Sequence, residues 1–336
     1  MTTTIAPDTT ASATRSAWLP AFAANAVIWG SSFIFIKIGV RELHPTWVAA
    51  GRIAIGALTL LALLLIGRQR VPGDRRLWVH MLLPGVVGVA LPFTLFAYGE
   101  ERVDSLVAGI WNATTALWVL PFAVLVFRTE RFTARSAGGL LIGFTGVLIV
   151  LGFWHDAGAS SLSGQLMCGA AAACYGVSIP YLKRFVTGRD FGGVRPSGVS
   201  LAFAQTTVAT VASVLAALLV SGMPPAVTSL SWPVIGSVLA LGVFGSGIAF
   251  ALNMRVIAAA GASTAAYVTY LVPVVATLLG ILVLGESLHW NQPVGALIVL
   301  LGVAVAQGAL SRRHPRPAAA PTPASASAPA SASARR

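Results

Sequence analysis

Two stretches decide how this chain is read: Phe127–Val150, FRTERFTARSAGGLLIGFTGVLIV, and Leu284–Ala306, LGESLHWNQPVGALIVLLGVAVA. In each, a glutamate closes one apolar block and a glycine-spaced apolar block follows. Glu130 and Glu286 stand 156 residues apart, as do Gly139 and Gly295, and Gly146 and Gly302. Working outward, WGSSFIFIK at Trp29–Lys37 matches YGVSIPYLK at Tyr175–Lys183, which aligns Gly30 with Gly176 and Ser32 with Ser178 at an offset of 146. Trp78 and Trp232, 154 apart, open corresponding apolar blocks that continue to Gly88 and Gly242. The drift in offset needs only modest differences in loop length. Self-similarity at a long, nearly fixed period marks an internal duplication.

Composition says what is duplicated. The chain of 336 residues is 56% hydrophobic and 10% charged, with a mean hydropathy of +0.82. Soluble domains carry about 25% charged residues, so this chain cannot build an ordinary water-facing surface. Its apolar residues come in blocks near the roughly 20 residues that cross a bilayer as a helix. The expected spans are 18–40, 45–66, 78–98, 104–127, 137–153, 162–182, 198–221, 232–254, 261–284 and 292–310. The fold class is an all-α membrane protein, with ten transmembrane helices in two inverted-topology five-helix repeats. Residues 1–17 form a polar cytoplasmic segment, 18–153 the first repeat, 162–310 the second, and 311–336 a disordered Ala/Pro/Ser-rich basic cytoplasmic tail. A cleaved signal peptide is the alternative reading of the first block. Its length and Lys37 argue against that.

The net charge of +12 could suggest a nucleic-acid partner, but no basic stripe with interleaved aromatics and no zinc-finger or RNA-binding signature is present. With the N-terminus inside, eighteen of the 22 Lys and Arg residues fall on the cytoplasmic side and only Arg41 and Arg102 outside. Lys37 and Arg52 lie within spans. This bias follows the positive-inside rule and places both termini on the cytoplasmic side. Cys168 and Cys174 share one apolar block and are read as small buried thiols. No metal-ligand spacing, Walker loop or nucleophile–base–orienter set is found, so no cofactor, metal site or catalytic residue is expected.

An odd number of spans per half inverts the second half relative to the first. Two related packings in opposite senses are a physical route to alternating access. The expected function is therefore that of a secondary carrier, with membrane lipid and a small-molecule substrate as its partners. A nontransporting sensor or scaffold is the alternative outside transport.

At these residues the chain resembles the EamA-type transporters of the drug/metabolite transporter superfamily. WGSSFIFIK resembles the first-helix motif, Gly51-Arg52 the aromatic–arginine signature (with glycine in the aromatic's place), and FRTE and LGES the glutamate motifs of the two halves. The resemblance covers about residues 18–310. It implies an inner-membrane permease, commonly an exporter of amino acids or related metabolites, driven by a solute or a coupling ion such as a proton. Export of broader hydrophobic or cationic compounds is the second substrate reading. The assembly is a monomer or a homodimer.

Polar and aromatic side chains inside the spans are the candidates for the substrate path: Asn25, Trp29, Ser32, Arg52, Tyr98, Trp111, Asn112, Tyr175, Ser178, Gln205, Asn253, Tyr267 and Tyr270. Each also has a structural reading, as an interhelical hydrogen bond or an interfacial anchor. Lys37 and Arg52 could form an outer electrostatic gate, or snorkel. Glu130 and Glu286 are read as structural repeat residues that cap a helix or pair with a basic neighbour. Glu100, Glu101 and Asp104 are read as a solvated outer loop. Pro92, Pro121, Pro180 and Pro273 are candidate bends.

Overall fold

A computed structural model describes residues 18–151, 161–260, 265 and 268–306. The two tails, Tyr267 and the side chain of Tyr270 lie outside the described residues. The fold is all-α and multi-pass. We number the helices α1 (Leu19–Gly39), α2 (Pro45–Ile66), α3 (Arg75–Glu100), α4 (Ser105–Val126), α5 (Ala134–Leu151), α6 (Leu162–Phe185), α7 (Gly198–Ser221), α8 (Trp232–Ala240 continued by Leu241–Ile248 and Ala249–Ala260), α9 (Val268–Leu284) and α10 (Asn291–Ala306). Among the described residues, seven are long and apolar enough to cross a membrane, while α5, α9 and α10 are shorter apolar helices.

Local sequence explains where the helices start. Pro45 opens α2 at a position where its missing N–H is not needed. Asp74 accepts a 2.6 Å bond from Arg76 N and begins α3 ahead of its apolar block. That charged first turn is invisible to hydropathy, so α3 begins before the expected 78; at its other end it runs on past the expected 98 to Glu100. Ser161 and Ser197 cap α6 and α7 through Gly164 N and Ser200 N. Gly222, with φ +70°, ends α7 in the left-handed region that favours glycine.

Three helices change register inside the bilayer. π-helical turns occupy Val86–Ala90 in α3, Phe122–Val126 in α4 and Leu241–Ile248 in α8. The first lies between Pro84 and Pro92, and the second follows Pro121; a missing donor loosens the local ladder there. The third has no proline and three glycines, Gly242, Gly245 and Gly247. Pro180 and Pro273 sit inside α6 and α9 with no such change of register.

Hydrogen bonds between helix ends fix the up-and-down order. On one face, Thr46 meets Ser221 at 3.0 Å, Glu42 accepts from Ser231 N at 2.8 Å, and Asn291 donates to the Val150 carbonyl at 3.2 Å. On the other, Ser200 donates to the Arg70 carbonyl at 3.2 Å and Lys183 pairs with Glu130 at 3.1 Å. The beginning of α1 and the end of α10 both belong to this second face.

The packing repeats when the halves are exchanged. α1 packs on α8 and α9 while α6 packs on α3 and α4; α2 packs on α8 while α7 packs on α3. The pairs α2–α7, α4–α9 and α5–α10 map onto themselves. At the α5–α10 crossing, a methyl added to Gly146 would lie 2.6 Å from Val299 N, and one on Gly295 would lie 2.8 Å from the Gly146 carbonyl. Only glycine permits that approach. The core gathers Phe33, Ile36, Val48, Phe96, Trp111, Cys168 and Val272 from six helices. Leu58, Leu141, Leu215, Leu219, Leu282 and Leu297 face outward, where lipid takes the place of a core.

Candidate substrate site

The register changes bring polar groups to the centre. In α8, the Gly245 carbonyl accepts from Trp29 Nε1 at 3.2 Å, and Ser246 Oγ accepts from Arg52 Nε at 3.3 Å. The Arg52 guanidinium lies over the Phe93 ring, 3.9 Å from its centroid, and is 5% exposed. Stacking on an aromatic face and one hydroxyl acceptor hold the planar cation in place without neutralising it. A methyl on Gly245 would come 3.0 Å from Ser32 Oγ and 3.3 Å from Arg52 Nη2, so the absent side chain makes room for both. Tyr175 on α6 lies within electrostatic reach of Arg52 and its ring packs 6.4 Å from that of Phe96.

Trp29, Ser32, Arg52 and Tyr175 are thus brought together. Asn25 and Asn253 meet at 3.5 Å between α1 and α8, leaving Asn25 Oδ1 buried without a partner. Ser178 and Gln205 converge on the π-turn of α3: Gly88 has no room for a methyl against Ser178, and Gln205 Nε2 donates to the Pro84 carbonyl at 3.0 Å. Trp111 donates to Gln165 Oε1 at 3.3 Å, Tyr98 packs edge-on against His44, and Asn112 is half-buried on α4.

The charged candidates have definite partners. Lys37 Nζ donates to the carbonyls of Glu100 and Val103, each at 2.7 Å, and so holds the turn between α3 and α4. Glu286 accepts from Ser105 N at 2.8 Å, Ser105 Oγ at 2.9 Å and Leu106 N at 3.1 Å, capping α4 from the turn between α9 and α10. The capped helix belongs to the other half of the chain. Asp104 holds the N-cap position of α4 but makes no capping bond. Its carboxyl is pushed above the ordinary aspartate range by burial and then by the Glu286 charge. A cleft of about 390 Å³ opens here, lined by Lys37, Arg41, Asp104, Glu286 and His289. On the opposite face a cleft of about 360 Å³ is lined by Asp74, Arg76, His80, Phe185 and Arg189.

Three participants escaped the sequence reading. Phe93 and Ser246 carry no signal beyond residue type. Glu100, read as part of a solvated loop, is instead the last residue of α3 and 0% exposed. The apolar run LPFTLFAYG leading straight into it was the available sign that the helix continues.

The described helices form a multi-pass membrane bundle with a buried guanidinium held by α2, α3 and α8. The profile of the EamA-like transporter family matches residues 16–152 and again 162–307, and the chain belongs to that family. It is a secondary transporter of small molecules. It is 24% identical over 295 residues to the uncharacterized transporter YoaV of Bacillus subtilis, covering 85% of this chain and 95% of that one. To the uncharacterized inner membrane transporter YedA of Escherichia coli K12 it is 28% identical, covering 83% and 87%. A probable amino-acid metabolite efflux pump of Salmonella typhimurium is 23% identical, covering 83% and 91%. A crystal structure superimposes with a TM-score of 0.61 at 20% identity, covering 89% of this chain and all of the other, a likeness of fold.

Proposed function

We propose that this protein exports amino acids or related small metabolites across a bacterial-type inner membrane by alternating access. The observation that carries the reading is Arg52, a buried guanidinium stacked on Phe93 and held by Ser246 where α2 and α3 meet α8. Such a group is an anchor for a substrate carboxylate. Trp29 and Tyr175 supply the aromatic wall for an apolar side chain. The efflux assignment of the Salmonella relative supports the same substrate class.

Two inverted five-helix repeats, exchanged by the packing symmetry of α1–α5 with α6–α10, supply the two access states. The arginine-rich loops lie on the face shared by the start of α1 and the end of α10, which supports a cytoplasmic placement of that face. A coupling ion such as a proton is the candidate driving species. The unit in the membrane is a monomer or homodimer.

The test is exchange of labelled neutral, aromatic and cationic amino acids in proteoliposomes, with Arg52→Ala alongside. Saturable exchange is expected in the wild type. A charge-assisted hydrogen bond contributes about 1.5–3 kcal/mol, so Arg52→Ala should weaken apparent affinity on the order of ten- to a hundred-fold. Exchange unaltered by the substitution removes Arg52 from the site. Exchange only of hydrophobic or cationic compounds moves the substrate class to the broader reading, and no flux of any compound favours a sensor or scaffold.

A further inference from the structure

The transport reading gives Glu100 no task, yet among the described residues it is the one fully buried acid. It is 0% exposed, and both carboxylate oxygens are sealed from solvent with no hydrogen-bond partner. An ionised carboxylate in such a place loses its hydration, whereas a neutral carboxyl loses far less.

The surroundings make a proton the cation that fits. From α1, Lys37 engages the main-chain carbonyls of Glu100 and Val103 rather than the carboxylate. Among the described residues, the ion pairs are Arg102–Glu101 and Lys183–Glu130, and neither involves Glu100. Arg52 of α2 and Lys37 are the opposite charges in reach, Glu286 is the like charge, and Cys168 of α6 faces the same space. α4 and α7 carry no titratable side chain along their length. A hard metal ion takes several oxygen ligands. Here one carboxylate stands beside two cationic side chains, and no metal-holding group of three ligands occurs among the described residues.

We propose that Glu100 is the proton-carrying residue of this transporter: its carboxylate takes up a proton from water in the cleft of Lys37, Asp104 and Glu286 when that face is open, holds it while sealed between α1, α2 and α6, and gives it up when the opposite face opens. Uptake breaks one O–H bond of a hydronium ion in the cleft and forms one carboxyl O–H bond, leaving water; release on the other face is the reverse and leaves a carboxylate that Lys37 can then meet. Closure around a bare carboxylate is disfavoured, so the substrate-free carrier closes with one proton aboard and its return is tied to the proton gradient. The inference rests on the carrier reading above and adds the residue that couples it.

The experiment compares wild type, Glu100→Gln and Glu100→Asp in proteoliposomes that contain a pH-sensitive dye. Substrate exchange is measured without a gradient, and net flux with an imposed pH difference. Infrared difference spectra of the purified proteins report a protonated carboxyl directly. Wild type should show gradient-accelerated flux, dye-reported proton movement and a carboxylic-acid band. In Glu100→Gln the band and the gradient response should vanish, while exchange falls no more than a few-fold. A gradient response that survives in Glu100→Gln overturns the assignment. So does wild-type exchange with no gradient response, or an acid band that persists in the variant; both leave the carrier reading standing. Absence of all exchange in the wild type strikes the carrier reading instead, and the infrared band alone then decides whether Glu100 holds a proton. Should Glu100→Gln fail to fold, Glu100→Asp must shift the band and the pH at which flux responds, and an unshifted band refutes the proposal.

Discussion

At the residue scale, the first face is governed by a division of labour between two acids. Glu286 takes the backbone and hydroxyl donors at the start of α4, while Asp104 occupies the N-cap position without using it. Asp104 is left with burial and a like charge, and its carboxyl is therefore raised. A raised acid contributes stability that is present below its unfolded-state value and is lost as pH rises through its folded-state value. Asp104→Asn should accordingly raise the unfolding temperature of the solubilised protein at neutral pH, and flatten the gain the wild type shows on moderate acidification. Thermal unfolding followed across that range checks both; a lower neutral-pH unfolding temperature would show that the charge on Asp104 is wanted in the fold.

At the element scale, backbone approach and helix register position the side chains. α5 and α10 pack through Gly146, Gly295 and Gly302, where each missing side chain is replaced by the partner's main chain. Gly146→Ala places a methyl 2.6 Å from Val299 N, and the helices must separate to receive it. Overpacking of this kind costs about 1–3 kcal/mol, which should appear as a lowered unfolding temperature. Because α5 and α10 lie away from Arg52, the affinity for substrate should change little in protein that remains folded. The π-turns work in the opposite sense, by freeing polar groups. The Gly245 carbonyl is within reach of Trp29 and Ser246 is turned to Arg52 because α8 leaves the α-helical register there.

At the scale of the whole molecule, the exchange symmetry of the packing has a topological consequence. The end-to-end hydrogen bonds put the start of α1 and the end of α10 on one face, together with Arg70, Glu130 and Lys183. Single cysteines placed in the loops 67–74 and 186–197, in a background free of Cys168 and Cys174, should react with a membrane-impermeant thiol reagent only from the cytoplasmic side. Cysteines in the loops 40–44 and 222–231 should react only from outside. Labelling of one loop from both sides would indicate mixed insertion and undo the positive-inside assignment.

The sequence by itself determined the class of molecule. Apolar block length and the scarcity of charge are one-dimensional quantities, and they dictate helices in lipid because an unsatisfied backbone cannot cross hydrocarbon. The glycines at 139, 146, 295 and 302 could be singled out because the chain repeats them, and Trp29, Ser32 and Arg52 because polarity inside a span is costly. Only the tertiary structure decided what these groups meet. That Glu286 caps a helix in the other half, that Arg52 stacks on Phe93, and that Glu100 is sealed rather than solvated are consequences of contacts between residues distant in the chain. A span-end glutamate reads the same whether it faces water or the core. Packing of α1, α2 and α6 against the end of α3 made the choice.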